Sequence, residues 1–365
     1  MPDGLTWETA TTTDVGLDFG MLNNRLQFNG DYYIRKTTDM YTVGETLPDV
    51  FGASSPKGNY ADMTTKGWEI TLTWRDQFTL AEKPFNYEIR GTLSDYISTI
   101  DRCNNQTGNL DDYYAGKRVG EIWGYVYDGF YTVDDFEDTQ TWKLKDGVVA
   151  INGYNPRPGD VKFKNLRDDD QGENLIYSGD GTLENPGDRK IIGNSMPRYL
   201  YGINLGLSYE GFDLSVFLQG TGKRDAWLAN TLTFPMYSDY KFIPLYEGLE
   251  NYWKPVDAAA GDYTCANPNA EYPRIYGGYG NQGSNYRTSD RYLSDASYLR
   301  IKNVTLSYTF PKQWVKKMAL SQLKAFISIE NLATFSSLAK GIDPETLSWS
   351  YPAFRTISFG LNLSL

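Results

Sequence analysis

The sequence alternates apolar and polar residues over segments of eight to ten positions, and this pattern recurs along the chain. Residues 67–75 read Gly-Trp-Glu-Ile-Thr-Leu-Thr-Trp-Arg, with a large apolar side chain at every second position. Because successive side chains of a β-strand point to opposite faces, such a segment forms a strand with one apolar and one polar face. The length also matches that of a strand that crosses a lipid bilayer.

Nine segments carry this alternation, near 13–20, 25–35, 67–75, 85–94, 199–209, 212–219, 303–310, 323–330 and 354–365. Their connections alternate between short links (21–24, 76–84, 210–211, 311–322) and long ones (36–66, 95–198, 220–302, 331–353). A soluble sandwich also alternates apolar and polar residues, but most sandwiches scatter their long connections. Regular short and long connections are typical of an up-and-down outer-membrane barrel. We therefore predict an all-β, transmembrane antiparallel β-barrel segment with short periplasmic turns and long extracellular loops.

The number of strands indicates that this barrel is incomplete. The first link is short and hence periplasmic, so nine alternating strands place the start of the first strand on the extracellular side. Bacterial single-chain barrels have an even number of strands, and nine is odd. We expect the missing strands to lie upstream or on another chain.

Composition excludes several classes of function. The chain has no histidine, which removes imidazole acid-base chemistry and histidine-ligated metals. A net charge of −11 argues against nucleic-acid binding, which needs clustered Lys and Arg. Cys103 and Cys265 have no metal-ligand spacing, and whether they pair is open. No pair of carboxylates stands out as catalytic, so we predict that the chain is not an enzyme.

A series of motifs resembles the C-terminal part of SusC/RagA-type TonB-dependent outer-membrane transporters. The most specific one, residues 297–306, reads Ser-Tyr-Leu-Arg-Ile-Lys-Asn-Val-Thr-Leu. The others follow in the family's order at 7–20 with 24–26 and 31–33, 66–69, 124–130, 197–199, 211–214 with 219–220, 330–332 and 341–345. Each motif is weak alone, but the series covers essentially the whole chain.

The resemblance implies a role in the bacterial outer membrane. Barrels of this kind have 22 strands and a plugged lumen, so residues 1–365 would supply nine strands of the C-terminal portion. The plug domain and the remaining 13 strands would come from elsewhere. The family implies import of oligosaccharides or oligopeptides, with a SusD-like lipoprotein lid and with TonB acting through the plug. The alternative is a surface glycan-binding β-protein, either soluble or lipid-anchored.

The predicted loop between residues 237 and 298 is rich in tyrosine. Aromatic faces stack on sugars and on peptide side chains, so this loop is a candidate substrate-binding surface. The candidate residues are Tyr237, Tyr240, Trp253, Tyr276, Tyr279 and Tyr286. The competing interpretation is that these rings pack the loop on itself and against a partner lid.

Acidic residues in the preceding loop resemble a calcium-binding loop. The candidate ligands are Asp168, Asp170, Asp180 and Asp188. Calcium loops need oxygen ligands at fixed spacing, but Ile176 and Ser178 stand where the first two ligands before Asp180 belong. We therefore favour a solvated acidic loop and expect no cofactor.

The two predicted faces of the barrel wall carry different residues. On the outward face, aromatic residues are expected near the membrane interface: Trp68, Trp74 and Tyr87. On the inward face, polar residues would line the lumen or contact the plug: Asp18, Asp31, Glu69, Glu88 and Arg90.

Overall fold

In a computed structural model, nine strands form one antiparallel sheet whose order follows the chain. The structure describes residues 5–44, 50, 52, 55–167, 174–228, 233–234, 250–275, 282–318, 320–347 and 353–364. The strands are β1 (Thr9–Met21), β2 (Leu26–Val43), β3 (Lys57–Leu80), β4 (Lys83–Arg102), β5 (Arg198–Tyr209), β6 (Phe212–Lys223), β7 (Tyr298–Thr309), β8 (Gln322–Ser336) and β9 (Thr356–Ser364). The all-β, up-and-down prediction and all nine predicted strands are confirmed.

Several strands are longer than predicted. The third was predicted over 67–75, whereas β3 covers 24 residues. In its first part, threonines face threonines and serines of β4, as in the pairs Thr64–Thr99 and Thr65–Ser98. Backbone pairing does not require an apolar face, so the strand continues where the alternation stops.

Short and long connections lie at opposite ends of the sheet. The turn end holds the links 22–25, 81–82, 210–211 and 310–321, and the loop end holds L1 (44–56), L2 (103–197), L3 (224–297) and L4 (337–355). Ala81 and Glu82 both have positive φ values of 45° and 65°, and so do Glu210 and Gly211, at 47° and 84°. These are the two-residue hairpin turns whose twist matches antiparallel strands.

Short elements occupy the connections. Paired strands in L2 and L3 are Glu121–Gly124 with Lys190–Asn194, Tyr127–Phe130 with Val161–Phe163, Ala150–Ile151 with Leu175–Ile176, Asp225–Trp227 with Leu293–Asp295, and Pro255–Asp257 with Asp262–Cys265. The helices are Val133–Asp135, Gln282–Asn285, Lys312–Val315 and Lys316–Met318. None of the helices in the described ranges has the length and apolar character needed to span a membrane.

One face of the sheet carries a row of apolar side chains that crosses every strand. A single row of register partners crosses all nine strands through Met21, Leu26, Trp74, Ile89, Leu205, Val216, Val304, Ile329 and Ile357. No layer of described residues packs on this face, and the side chain of Phe359, for example, is 79% exposed. Trp68, Trp74 and Tyr87 lie on this face, as predicted, and Trp74 Nε1 donates to Tyr87 Oη at 3.2 Å.

The adjacent row on the opposite face is polar. It runs through Gly20, Gln27, Thr73, Arg90, Asn204, Phe217, Asn303, Glu330 and Thr356, with Phe217 as its one large apolar member. The strands β1 and β9 each have a single neighbour within the described sheet, which is therefore open. The architecture is a barrel wall with one apolar and one polar face.

The main buried hydrophobic core lies in the loops. Its buried members come from L2 and L3: Tyr125, Tyr131, Phe136, Ile151, Val161, Phe163, Ile176, Phe234 and Tyr292. We call this set the loop core. Since L2 and L3 are separated in sequence by β5 and β6, the loop core joins these two connections into one packed unit at the loop end of the sheet, which we call the loop unit.

Candidate functional site

The polar face of the sheet carries the inward residues that the sequence predicted. Strand register places Asp18, Asp31, Glu69, Glu88 and Arg90 on this one face. Asp18 accepts a hydrogen bond from Asn29 Nδ2 at 2.6 Å. Glu69 pairs in register with Ser94, and Glu88 with Arg75, so the two glutamates do not form a carboxylate pair.

Most charges at the turn end of this face are compensated. Arg75 Nε donates to Glu88 at 2.8 Å, and Asp213 accepts from Lys324 Nζ at 3.0 Å and from Ser208 Oγ at 2.8 Å. A recess of about 760 Å³ is lined by Arg75, Glu88, Ser208 and Asp213. Paired charges give a hydrated wall that attracts neither cations nor anions strongly.

At the loop end, Arg300 of β7 anchors L4. It is 2% exposed, and its guanidinium donates to both carboxylate oxygens of Asp343 at 2.8 Å and to Glu345 at 2.7 Å. Its Nε donates to Thr334 of β8 at 2.9 Å. A planar guanidinium is suited to such two-pronged contacts.

A second arginine connects three loops at the same place. Arg224 of L3 donates to the carbonyl oxygen of Ser195 in L2 at 3.0 Å, and to those of Pro344 and Glu345 in L4 at 3.2 and 3.3 Å. Burial lowers the pKa of this arginine from its usual value. We call Arg224, Arg300 and their partners the arginine junction; it fixes the bases of L2, L3 and L4 together.

The acidic residue of this junction is held in its charged form. Burial of Asp343 opposes ionisation, but hydrogen bonds from Arg300 and from the backbone N–H of Glu345 outweigh it and hold the pKa of Asp343 below its usual range. A further buried pair, Asp95 of β4 with Arg198 of β5, fixes the strand that follows L2. The sequence-based predictions included neither the Arg300–Asp343 pair nor the Asp95–Arg198 pair.

The described substrate candidates of the tyrosine-rich segment lie inside the loop unit. The ring of Tyr286 stacks on that of Phe234, with the ring centroids 4.6 Å apart. It also packs against the ring of Tyr292, with a centroid distance of 5.8 Å. Burial raises the pKa of Tyr286 and of Tyr292. These contacts match the alternative interpretation, in which the rings pack the loop on itself.

Trp253 is packed in the same way, with 5% of its surface exposed. Its ring lies against Gly159, where φ is +89° and an added Cβ would overlap the indole. A side chain at position 159 would therefore be strained and would displace Trp253. The remaining candidates, Tyr237, Tyr240, Tyr276 and Tyr279, lie outside the described residues.

Next to Gly159, the buried carboxylate of Asp160 joins L2 to L3. It is 0% exposed and accepts from Arg274 Nε at 2.8 Å, Asn285 Nδ2 at 3.1 Å and Tyr154 Oη at 3.0 Å. Asn285 Oδ1 in turn accepts from the backbone N–H of Val161 at 2.8 Å. A buried charge with this many donors holds a loop in one conformation.

The acidic residues considered for calcium are divided between described and undescribed parts of the chain. Asp168 and Asp170 lie outside the described residues. Asp188 is buried and accepts from the backbone N–H groups of Leu166, Arg167 and Tyr177, while Asp180 accepts from Thr182. Within the described ranges, no three carboxylate or thiol groups converge as metal ligands.

The two cysteines do not pair. Both are free thiols, and Cys103 Sγ donates to the carbonyl oxygen of Tyr113 at 3.0 Å. Burial raises the pKa of the Cys103 thiol. The question left open by the sequence is thus answered by the geometry.

A meandering sheet with one apolar and one polar face, turns at one end and packed loops at the other is the wall of an outer-membrane-type β-barrel. Two relatives are similar in sequence to almost the whole of this chain. The TonB-dependent receptor P3 of Formosa agariphila is 28% identical over 99% of this chain and 34% of its own length. The TonB-dependent receptor SusC of Bacteroides thetaiotaomicron is 25% identical over 100% of this chain and 32% of its own length.

A solved structure shares the fold of this chain. A chain of the RagAB peptide transporter superposes with a TM-score of 0.69 at 19% identity, over 98% of this chain and 36% of that one. No protein-family profile matches the sequence. The resemblance to SusC/RagA-type TonB-dependent transporters is confirmed: the similarity to SusC extends over the whole chain, which spans about a third of the length of the relatives it matches.

Proposed function

We propose that this chain forms the C-terminal part of the barrel wall of a TonB-dependent importer in the bacterial outer membrane. The importer would take up oligosaccharides or oligopeptides. The observation that carries the proposal is the pair of neighbouring rows across all nine strands, one apolar and one polar. A face of this size without a covering layer is stable next to lipid but not next to water.

The loop end fits a role in meeting the cargo and a partner. The loop core and the arginine junction hold L2, L3 and L4 as one unit, which offers a preformed surface on one side of the wall. A SusD-like lipoprotein would close over this surface. The remaining strands, the plug and the contact with TonB would be provided by other parts of the transporter.

The proposal is tested on the native, full-length protein. Cell fractionation should place it in the outer membrane, and after detergent extraction its electrophoretic mobility should change on heating, because a closed barrel resists unfolding in SDS. A surface glycan-binding β-protein, soluble or lipid-anchored, would instead show no heat-modifiable mobility, and the soluble form would also be released without detergent. That second outcome would reject the importer.

Deleting the gene tests transport separately. Loss of growth on one oligosaccharide or peptide mixture, with normal growth on the monomers, is the expected result. Normal growth and uptake with every such mixture that the wild type uses would contradict the transport function.

A further inference from the structure

A cavity of about 650 Å³ lies at the loop end, between β4, L2 and the end of β6. The pairing of β4 with β5 ends at Ser94 and Leu200. Beyond this point L2 takes the place of β5: Val119 N–H donates to the carbonyl oxygen of Ser98 at 2.9 Å, and Arg118 forms a bridge with Thr99. The cavity lies where β4 changes its pairing partner from β5 to L2.

The walls of this cavity are fixed by a central asparagine. Asn194 Nδ2 donates to the carbonyl oxygen of Val119 at 3.1 Å, and its backbone N–H donates to Asp225 Oδ2 at 2.9 Å. Ser195 N–H donates to the carbonyl oxygen of Gly120 at 2.8 Å. The cavity is therefore held open by hydrogen bonds, and a ligand would bind without first ordering the loop.

Four charged side chains line the cavity without forming ion pairs with any residue that the structure describes. Two are cations, Arg118 and Lys223, and two are anions, Glu121 and Asp225. Among the described residues, the donors to Glu121 are neutral: Tyr114 Oη at 2.9 Å and the backbone N–H of Arg118 at 3.1 Å. A fifth charged residue of the lining, Arg198, differs from these four because it is bound to the carboxylate of Asp95.

We propose that this cavity is a binding site for a zwitterionic ligand, a molecule that carries both an ammonium and a carboxylate group. Such a ligand places its carboxylate at Arg118 or Lys223 and its ammonium at Glu121 or Asp225, so that each charge removed from water gains a partner. A neutral saccharide would desolvate the same side chains without compensating them. The inference rests on the proposed function only in treating the ligand as cargo.

The test is calorimetric titration of the purified full-length protein in detergent with trialanine. We expect saturable binding, and at least about tenfold weaker binding of trialanine that is acetylated and amidated at its ends. Maltotriose should bind no better than the capped peptide. Absence of trialanine binding, or equal binding of the capped peptide or of maltotriose, would overturn the proposal.

Variants assign the binding to this cavity. Lys223→Gln and Asp225→Asn should each weaken trialanine binding at least about tenfold, and the asparagine can still accept from Asn194. Lys143→Gln is the matched control, since Lys143 pairs with Glu137 away from the cavity, and it should leave affinity unchanged. Unchanged affinity in both cavity variants would contradict the proposal.

Heat-modifiable mobility, measured on the same samples, separates this proposal from the proposed function. A protein that keeps this property but binds no trialanine contradicts the site alone. A protein without it contradicts the barrel, whatever it binds.

Discussion

The sheet and the loop unit place their apolar residues in opposite environments. On the sheet, Phe359 is 79% exposed and belongs to an apolar face that no described residue covers. In the loop core, Phe163 and Tyr131 are fully buried. In the proposed barrel the sheet meets lipid, whereas the loops exclude water, so apolar residues follow a different rule in each region.

Charged groups show the reverse contrast. On the polar face of the sheet, Arg75 and Glu88 form an ion pair whose side chains are 54% and 42% exposed, so water shares their solvation. In the loop unit, Asp160 is fully buried and depends on its protein donors. Loss of a charge should thus be tolerated in the wall and costly in the loops.

The largest effect is expected from Phe163→Ala in the loop core. Removing a buried phenylalanine costs about 3–5 kcal/mol, so L2 and L3 should become susceptible to limited proteolysis. Phe359→Ala is the matched change on the sheet. Because Phe359 packs against little protein, that variant should keep the loop cleavage pattern of the wild type. Equal protease sensitivity of the two variants would contradict the claimed difference between the buried loop core and the exposed apolar face of the sheet.

Arg300→Ala is expected to have the next largest effect. It leaves the Asp343 carboxylate without its bidentate partner, which costs about 3 kcal/mol when the pair is buried. Hydrogen exchange should rise in L4 while the strands away from the junction stay protected. Lys143→Ala removes an exposed ion pair and should change stability by less than about 1 kcal/mol. A similar response to both variants would contradict the claim that the arginine junction fixes L4.

The smallest effect concerns pH. Since the pKa of Asp343 lies below its unfolded value, the junction gains stability above that unfolded value, near 4, and loses it as the pH falls through the folded pKa. Hydrogen exchange in L4 should therefore rise only below about pH 4. In Asp343→Asn this acid-dependent step should be absent. Exchange that rises already between pH 5 and 7 would be inconsistent with this assignment.

The wall was predictable because its signal is local. Alternation with a period of two fixes which residues share a face, and it located all nine strands and the face of Trp68, Trp74 and Tyr87. It could not give the strand ends, since the first part of β3 pairs through threonines without an apolar side. Backbone hydrogen bonds, which leave no sequence pattern, extend the strand there.

The loop unit was not predictable because its contacts join distant residues. Arg300 and Asp343 are 43 positions apart, and Asp160 and Arg274 are 114 apart. A signal for the first pair did exist: the motifs at 297–306 and 341–345, which carry the family resemblance, contain both partners. Aromatic content indicated where rings concentrate, but only the fold shows that Trp253 packs against Gly159 of L2 and that Tyr286 packs against Phe234 of L3.

The central claim, that the apolar face of the sheet meets lipid, is tested most directly by a pair of neighbouring substitutions in β6. Val216 lies in the apolar row and Ser215 on the polar face. Val216→Arg should lower the stability of the barrel in bilayers by about 2–4 kcal/mol, while Ser215→Arg should be tolerated. The readout is the denaturant midpoint of heat-modifiable mobility. Equal tolerance of both arginines, or a greater loss with Ser215→Arg, would contradict the account.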